Sequence, residues 1–342
     1  MQQVLLGKTG LRVSQVGFGG IPIQRLSDDG AVQVIRHCLD LGINFLDTAY
    51  GYGTSEERIG RAIAGRREGL VLASKSPARD GKTFREHLEL SFQRLGVDRI
   101  DLYQFHNVGD PKAYEQILAP GGALDVAREA KAAGRIGHIG VTSHSLEVAL
   151  QMVPSGHFET LMFPFNFITN EAADKLLPLC EQHGVAFLSM KPMGGGMLGD
   201  ARLAFKFQRQ YPAAIPVVGI EHQDEIDEIV GILQGPAGLT EADRAEIKRL
   251  REELGTRFCR RCGYCQPCEQ EVDISTVVNL RSFGKRFPRE RMFGDWGLAI
   301  VTKAEGCVEC GECESRCPYG LPIREIIREN VAWFRQEQAR LG

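Results

Sequence analysis

Eight short runs of continuous apolar character recur along the first 220 residues. Between them lie longer stretches in which apolar positions return every three or four residues. The runs are VSQVGFGG, INFLDTA, LVLASKS, IDLYQFH, IGHIGVTS, TLMFPFN, VAFLSMK and AIPVVGI. Strands that alternate polar and apolar positions leave one face wet, whereas strands apolar throughout are buried on both faces, as in a parallel sheet. Segments 28–41, 55–64, 83–95, 123–133, 171–183 and 223–233 read as amphipathic helices, the first with Val32, Ile35 and Leu39 at helical spacing. A hairpin, QVLLGKTGLRVS turning at Lys8-Thr9-Gly10, precedes them.

Eight buried strands, each followed by a helix, predict a closed (β/α)8 or TIM barrel. The rival is an open doubly wound sheet, which carries a G-x-G-x-x-G turn after its first strand; GFGGIPI has none. The pattern changes at Gln234-Gly235-Pro236-Ala237-Gly238, after which a polar helix from Thr240 to Leu254 leads into a cysteine-rich region. We expect a barrel over residues 1–238 and a mainly helical second domain over 239–342.

A net charge of -3 with 25% charged residues gives no electrostatic reason to expect nucleic acid or another polyanion. The N-terminus has no basic leader followed by an apolar segment, and no run approaches a membrane span, so a cytoplasmic protein is expected. Eight of the ten cysteines fall between Cys259 and Cys317, a clustering that points to metal rather than to disulfides; Cys38 and Cys180 stand alone in helical segments.

In such barrels the reactive side chains project from the C-terminal ends of the strands. Strand two ends at Asp47, with Tyr52 in the loop beyond it; strand three ends with Lys75 and strand four with His106. Each alone has an ordinary reading, as a helix cap, a packed ring, a solvated strand end or a backbone-bonded imidazole. Together on consecutive strand ends they form an acid–base set. A phenol with an ordinary pKa of about 10 becomes a better acid beside an ammonium, and a carboxylate keeps that ammonium charged and oriented.

At these residues the sequence resembles the aldo-keto reductases. GINFLDTAYGYGTSEERIG, LVLASK, IDLYQFH, GVTS and KPMGGG carry the resemblance from Gly7 to about Leu233, and the D-x4-Y spacing followed by E-x3-G is its most specific element. The resemblance implies a (β/α)8 barrel that uses NAD or NADP to transfer hydride between nicotinamide and a small-molecule carbonyl. Asp47, Tyr52, Lys75 and His106 would be its catalytic tetrad, with Tyr52 the proton donor. It implies carboxamide contacts from Ser143 and Asn166, and a cofactor-binding segment at Met190, Lys191 and Gly194. The chain departs from the family's pattern in offering Met190 where many members stack a tyrosine. It also departs in having no Lys or Arg in IPVVGIEHQDEIDEI, where NADP-preferring members hold the 2′-phosphate.

The run Cys307-x2-Cys310-x2-Cys313-x3-Cys317-Pro318 is the bacterial ferredoxin spacing, in which the fourth cysteine ligates the other cluster of a pair. Upstream lies Cys259-x2-Cys262-x2-Cys265-x2-Cys268, one residue short of the same pattern. Zinc ribbons need two C-x2-C pairs separated by a spacer, so two 4Fe-4S clusters are the better reading. The crossed assignment gives Cys259, Cys262, Cys265 and Cys317 to one and Cys307, Cys310, Cys313 and Cys268 to the other; the alternative is a single cluster on the second run. CRRCGYCQPC resembles the aldo-keto reductase subfamily that carries a C-terminal ferredoxin-like domain.

Hydride moves two electrons and a cubane one, so the clusters are expected to exchange electrons with a redox partner protein; no flavin signature mediates between them. The alternatives are clusters that only hold the C-terminal fold together, and an electron-transfer protein whose barrel is a docking scaffold. The basic stripe RSFGKRFPRER reads first as a solvated face and second as a docking site for an acidic redox partner.

Overall fold

The structure is a computed structural model and describes residues 1–341. Strands β1 (Gln3–Leu5) and β2 (Arg12–Ser14) pair antiparallel as the expected hairpin. Then follow β3 (Gly17–Gly19), α1 (Asp28–Asp40), β4 (Phe45–Asp47), α2 (Ser55–Ile63), β5 (Val71–Ser76), α3 (Gly81–Leu95) and β6 (Ile100–Phe105). After them come α4 (Pro111–Leu118), α5 (Ala123–Ala132), β7 (Ile136–Thr142), α6 (Leu146–Met152), β8 (Thr160–Pro164), α7 (Leu176–His183), β9 (Ala186–Met190), α8 (Ala201–Gln208), β10 (Ala214–Gly219) and α9 (Gln223–Gln234).

Strands β3 to β10 form a closed barrel in chain order, every neighbouring pair parallel, with β10 returning to β3. All eight apolar runs became its staves. Their side chains fill the interior: Phe45, Val71, Ala73, Leu102, Met162, Leu188, Ile215 and Val217 form one buried cluster, joined by Leu6 and Val13 from the hairpin. Apolar groups thus occupy the barrel's middle and its hairpin end, and ionisable groups are left for the opposite rim, where parallel strands all finish. Gly60 shows how tightly the outer layer packs, since a Cβ there would lie 2.7 Å from the carbonyl oxygens of Arg94 and Leu95 at the end of α3.

The helix expected from residue 171 begins only at Leu176. Residues 171–175 form turns, with Ala173 N–H bonded to the Asn170 carbonyl. Val32 is half-buried, while Ala31, Val34, Ile35, Cys38 and Leu39 form the buried face of α1.

The chain divides into two compact units, residues 1–194 with 198–239, and residues 195–197 with 240–342. The second is helical: α10 (Glu241–Leu254), α11 (Ile274–Val277), α12 (Leu280–Gly284), α13 (Arg289–Phe293), α14 (Asp295–Glu305), α15 (Glu312–Ser315) and α16 (Ile323–Ala339). Thr240 caps α10 in a box with Asp243. The long helix α16 buries Ile323, Ile326, Ile327 and Phe334, and its buried Asn330 amide donates to the Val277 and Val278 carbonyls, tying α11 in place. No described helix is long and apolar enough to cross a membrane.

Candidate functional site

At the C-terminal rim of the barrel, Asp47 closes β4 and Lys75 lies one residue from the end of β5. Both side chains are inaccessible, at 5% and 1% exposure, and the Lys75 ammonium donates to Asp47 Oδ2 at 2.5 Å and to the Thr48 carbonyl at 2.6 Å. The other Asp47 oxygen accepts from the Gln104 amide at 3.1 Å. Burial pushes the Asp47 carboxyl up from its ordinary value, and the ammonium and the Gln104 amide pull it back.

Tyr52 is half-buried in the loop after β4, where its N–H meets the Ala49 carbonyl and its own carbonyl accepts from Ser55. Ser55 Oγ in turn donates to the Gly20 carbonyl, fixing the loop to the end of β3. The Lys75 ammonium stands 5.2 Å from the Tyr52 ring centroid, and the His106 ring meets the same tyrosine edge-on at 5.6 Å. The four residues singled out on strand ends therefore share one place. A phenol there has a buried, carboxylate-held cation on one side and an imidazole on another.

Ser143, just past β7, and Asn166, just past β8, are both buried on the same rim. The Ser143 hydroxyl donates to the Val108 carbonyl at 2.7 Å and accepts from Ser145 N–H. Asn166 Oδ1 accepts from the Ile168 and Thr169 amides, and its amide nitrogen donates to the Lys191 carbonyl. One hydroxyl lone pair and one amide hydrogen are left, which match the N–H donor and the carbonyl acceptor of a carboxamide. On that chemistry the residues fit nicotinamide.

Met190 ends β9 half-buried, against the barrel's apolar cluster. Lys191 follows at φ +58°, and its ammonium contacts His144 Nε2 at 3.0 Å. His144 Nδ1 faces the Asn107 side-chain oxygen at 2.9 Å, so Nδ1 carries the hydrogen and Nε2 accepts from the lysine. Gly194 is buried and opens a run of three glycines with φ of +60°, +68° and +85°. Beyond β10, Glu225 accepts from the backbone N–H of Glu221 and of His222, the two residues that precede α9. Arg25 lies 3.4 Å from Glu221.

Sequence reasoning missed Gln104, and it used Glu56 only as the Glu of the E-x3-G motif, without a role in the site. Gln104 lies two residues before His106, a polar position on the same face of the chain, and that was the available signal. Glu56 is wholly buried, accepts from Ser74 Oγ at 2.6 Å and faces Arg94 at 3.4 Å; it braces the tyrosine loop's helix against β5.

In the second unit, Cys259, Cys262, Cys265 and Cys317 line one open cavity, walled by Tyr264, Tyr319, Ile274 and Leu321. Arg261 N–H points at Cys259 Sγ, 3.4 Å away. Cys313 lies within electrostatic reach of Cys307 and Cys310, and Cys265 within reach of Cys313, so the two sets adjoin. Arg316 donates to the Pro267 carbonyl, bringing the residue before Cys268 to the second run.

The two runs also share a backbone. The residues two and four positions after the first cysteine are left-handed in both: Arg261 (φ +61°) and Gly263 (+85°) in one, Glu309 (+54°) and Gly311 (+82°) in the other. Non-glycine residues rarely adopt this conformation, so its repetition marks two copies of one loop built to turn thiols inward. Among the described residues no three His, Cys, Asp or Glu side chains converge as a single metal ion requires. A cubane spreads its four thiolates around a larger body, which an open cavity lined by four cysteines fits.

Residues 15–204, more than half of the chain, match the model of the aldo/keto reductase family. The chain belongs to the aldo/keto reductase family. Residues 258–322 of this reductase match a 4Fe-4S dicluster domain, so it is an oxidoreductase barrel followed by an iron-sulfur domain. It is similar to the uncharacterized oxidoreductase YqkF of Bacillus subtilis, 29% identical over 217 residues that take in 59% of this chain and 68% of that protein. It is likewise similar to the aldo-keto reductase YhdN of the same organism, 30% identical over 58% of this chain and 64% of that one. The chain thus spans about two thirds of the length of these curated relatives. The holo form of aldo-keto reductase AKR11C1 from Bacillus halodurans superposes with a TM-score of 0.63 over 73% of this chain and 96% of its own, at 24% identity, a likeness of fold.

Proposed function

We propose that the barrel reduces an aldehyde or ketone with hydride from NADH, and that Tyr52 gives the proton that completes the alcohol. Bound nicotinamide supplies the hydride. Tyr52 releases its phenolic hydrogen to the carbonyl oxygen as negative charge gathers there, and the Lys75 ammonium stabilises the phenolate left behind. Asp47, braced by Gln104, keeps Lys75 charged and aimed. His106 orients the carbonyl oxygen from the other side of Tyr52. Ser143 and Asn166 hold the carboxamide through their remaining lone pair and hydrogen, and Met190 offers the ring a soft apolar face.

NADH is preferred to NADPH because a 2′-phosphate beyond β10 would meet the carboxylates of Glu221, Asp224 and Glu225, in a segment that has no Lys or Arg. The C-terminal domain carries two clusters on the crossed ligand sets and moves single electrons. A hydride carries two electrons in one step and a cubane exchanges one, so the barrel's reduction does not depend on the clusters.

The observation that carries this reading is the buried Lys75–Asp47 pair set 5.2 Å from the Tyr52 ring. It is tested by NADH-dependent reduction of a panel of aldehydes and ketones. Tyr52→Phe should lower kcat/KM by about 10²–10⁴-fold with little change in NADH binding. Undiminished turnover would remove Tyr52 as the proton donor.

A further inference from the structure

The twin cysteine loops have the same backbone and opposite charge. Where the first presents Arg260 and Arg261, the second presents Val308 and Glu309; where the first has Tyr264, the second has Glu312. The carboxylates of the second loop are compensated, Glu309 by Arg328, Glu312 by Arg316 and Glu314 by Arg324. Elsewhere in this unit Arg257, Lys303 and Arg335 also meet carboxylates.

The basic stripe between the loops is different. Residues 281–296 hold five cations against two carboxylates, Glu290 and Asp295. Among the described residues Arg281, Arg289 and Arg291 make no ion pair, although all three are exposed; Arg281 donates to the neutral Asn330 side chain. The guanidinium groups lie over aromatic rings instead. Arg291 sits 4.4 Å above Phe287, and Phe287 stacks on Phe283 at 5.2 Å. Arg261, which lines the first cavity, lies 5.1 Å over that same Phe283. Val278, just before α12, is also part of the cavity wall. Rings thus run from the first cysteine site through Phe283 and Phe287 to Arg291, and a second contacting pair, Trp333 and Phe293, lies under Arg281 and Arg289, the other members of this cationic face.

We propose that this face, centred on Arg281, Arg289 and Arg291, docks a small acidic iron-sulfur electron carrier of the ferredoxin class, which exchanges electrons with the cluster held by Cys259, Cys262, Cys265 and Cys317. Exposed arginines without carboxylates of their own supply charge complementarity to an acidic protein, and the rings beneath them supply apolar area that stays rigid on association. In each encounter one electron leaves the carrier's reduced cluster and enters this one; no bond forms or breaks and no proton moves. The proposal rests on the reading of the second domain as an electron-transfer module and is independent of the barrel's hydride chemistry.

The test uses the iron-loaded full chain and an oxidised plant-type ferredoxin, an acidic protein, as probe, with association measured by calorimetry at low and high salt. Association should weaken as salt rises, and Arg281→Glu, Arg289→Glu and Arg291→Glu combined should weaken it about tenfold or more. The variant should keep its iron content and its bleaching by dithionite. Stopped-flow bleaching of the clusters by reduced ferredoxin should slow in parallel. If the combined variant loses iron, the corresponding Gln variants and the salt dependence of the native chain give the same reading. Association that is absent, indifferent to salt or unchanged by the substitutions would overturn the docking face. Carbonyl reduction with NADH, assayed on the same samples, reports on the barrel separately.

Discussion

Two ion pairs of the same chemistry behave as opposites in the two units. In the barrel, Lys75 and Asp47 are 1% and 5% exposed, and each has a further hydrogen-bond partner. In the helical unit, Arg257 reaches Glu325 and Glu329 at 2.7–2.8 Å with all three side chains 41–49% exposed. Two buried charges lose their hydration and replace it only with each other and with those fixed partners, so they hold position or the site fails. Exposed charges exchange partners with water and salt at little cost. The barrel thus uses charge to build a reactive centre. The helical unit leaves most charge outside and relies on apolar helix packing.

That contrast gives a graded series. Lys75→Met strands the Asp47 carboxylate in a closed interior and should cost about 3–5 kcal/mol in chemical denaturation; a loss near zero would mean that the pair is hydrated after all. Glu159 is the intermediate case, one third exposed and bonded to His138, Lys131 and the Ile139 amide. Partial burial pushes its carboxyl up, but these donors hold it down at about 2, below the ordinary 4.5. A depressed carboxyl contributes stability fully above its unfolded value and loses that contribution as pH falls through its folded one. Glu159→Gln should therefore cost about 1–2 kcal/mol near neutrality, discounted for exposure, with most of that difference gone by about pH 2. A gap between the two proteins that persists at the acid end would contradict the assignment. Arg257→Gln, at the exposed extreme, should change stability by less than about 1 kcal/mol and by less still in high salt.

The barrel was readable because its strands are buried on both faces, so INFLDTA or TLMFPFN needs no alternation to declare itself. The start of α7 was not, since Glu171 to Lys175 have helical composition but are held in turns by a local Asn170 contact, which periodicity cannot register. Asp47, Tyr52, Lys75 and His106 were visible as ionisable residues on consecutive strand ends, and their proximity follows from closure of the barrel. Gln104 was overlooked because glutamine carries no charge to attract notice, yet its amide shares Asp47 with Lys75. The repeated left-handed residues of the two cysteine loops were hidden for a related reason. Gly263 and Gly311 could be aligned by eye, whereas Arg261 and Glu309 have opposite charge and share only a backbone conformation.

The central claim is that Lys75 makes Tyr52 an adequate acid, and the pH profile of NADH-dependent carbonyl reduction tests it most directly. For the native chain kcat/KM should fall on the alkaline side as the proton donor deprotonates; in Lys75→Met the remaining activity should be much lower and that fall should move to higher pH, because no cation favours the phenolate. Equal rates with an unmoved alkaline limb in the two proteins would contradict it.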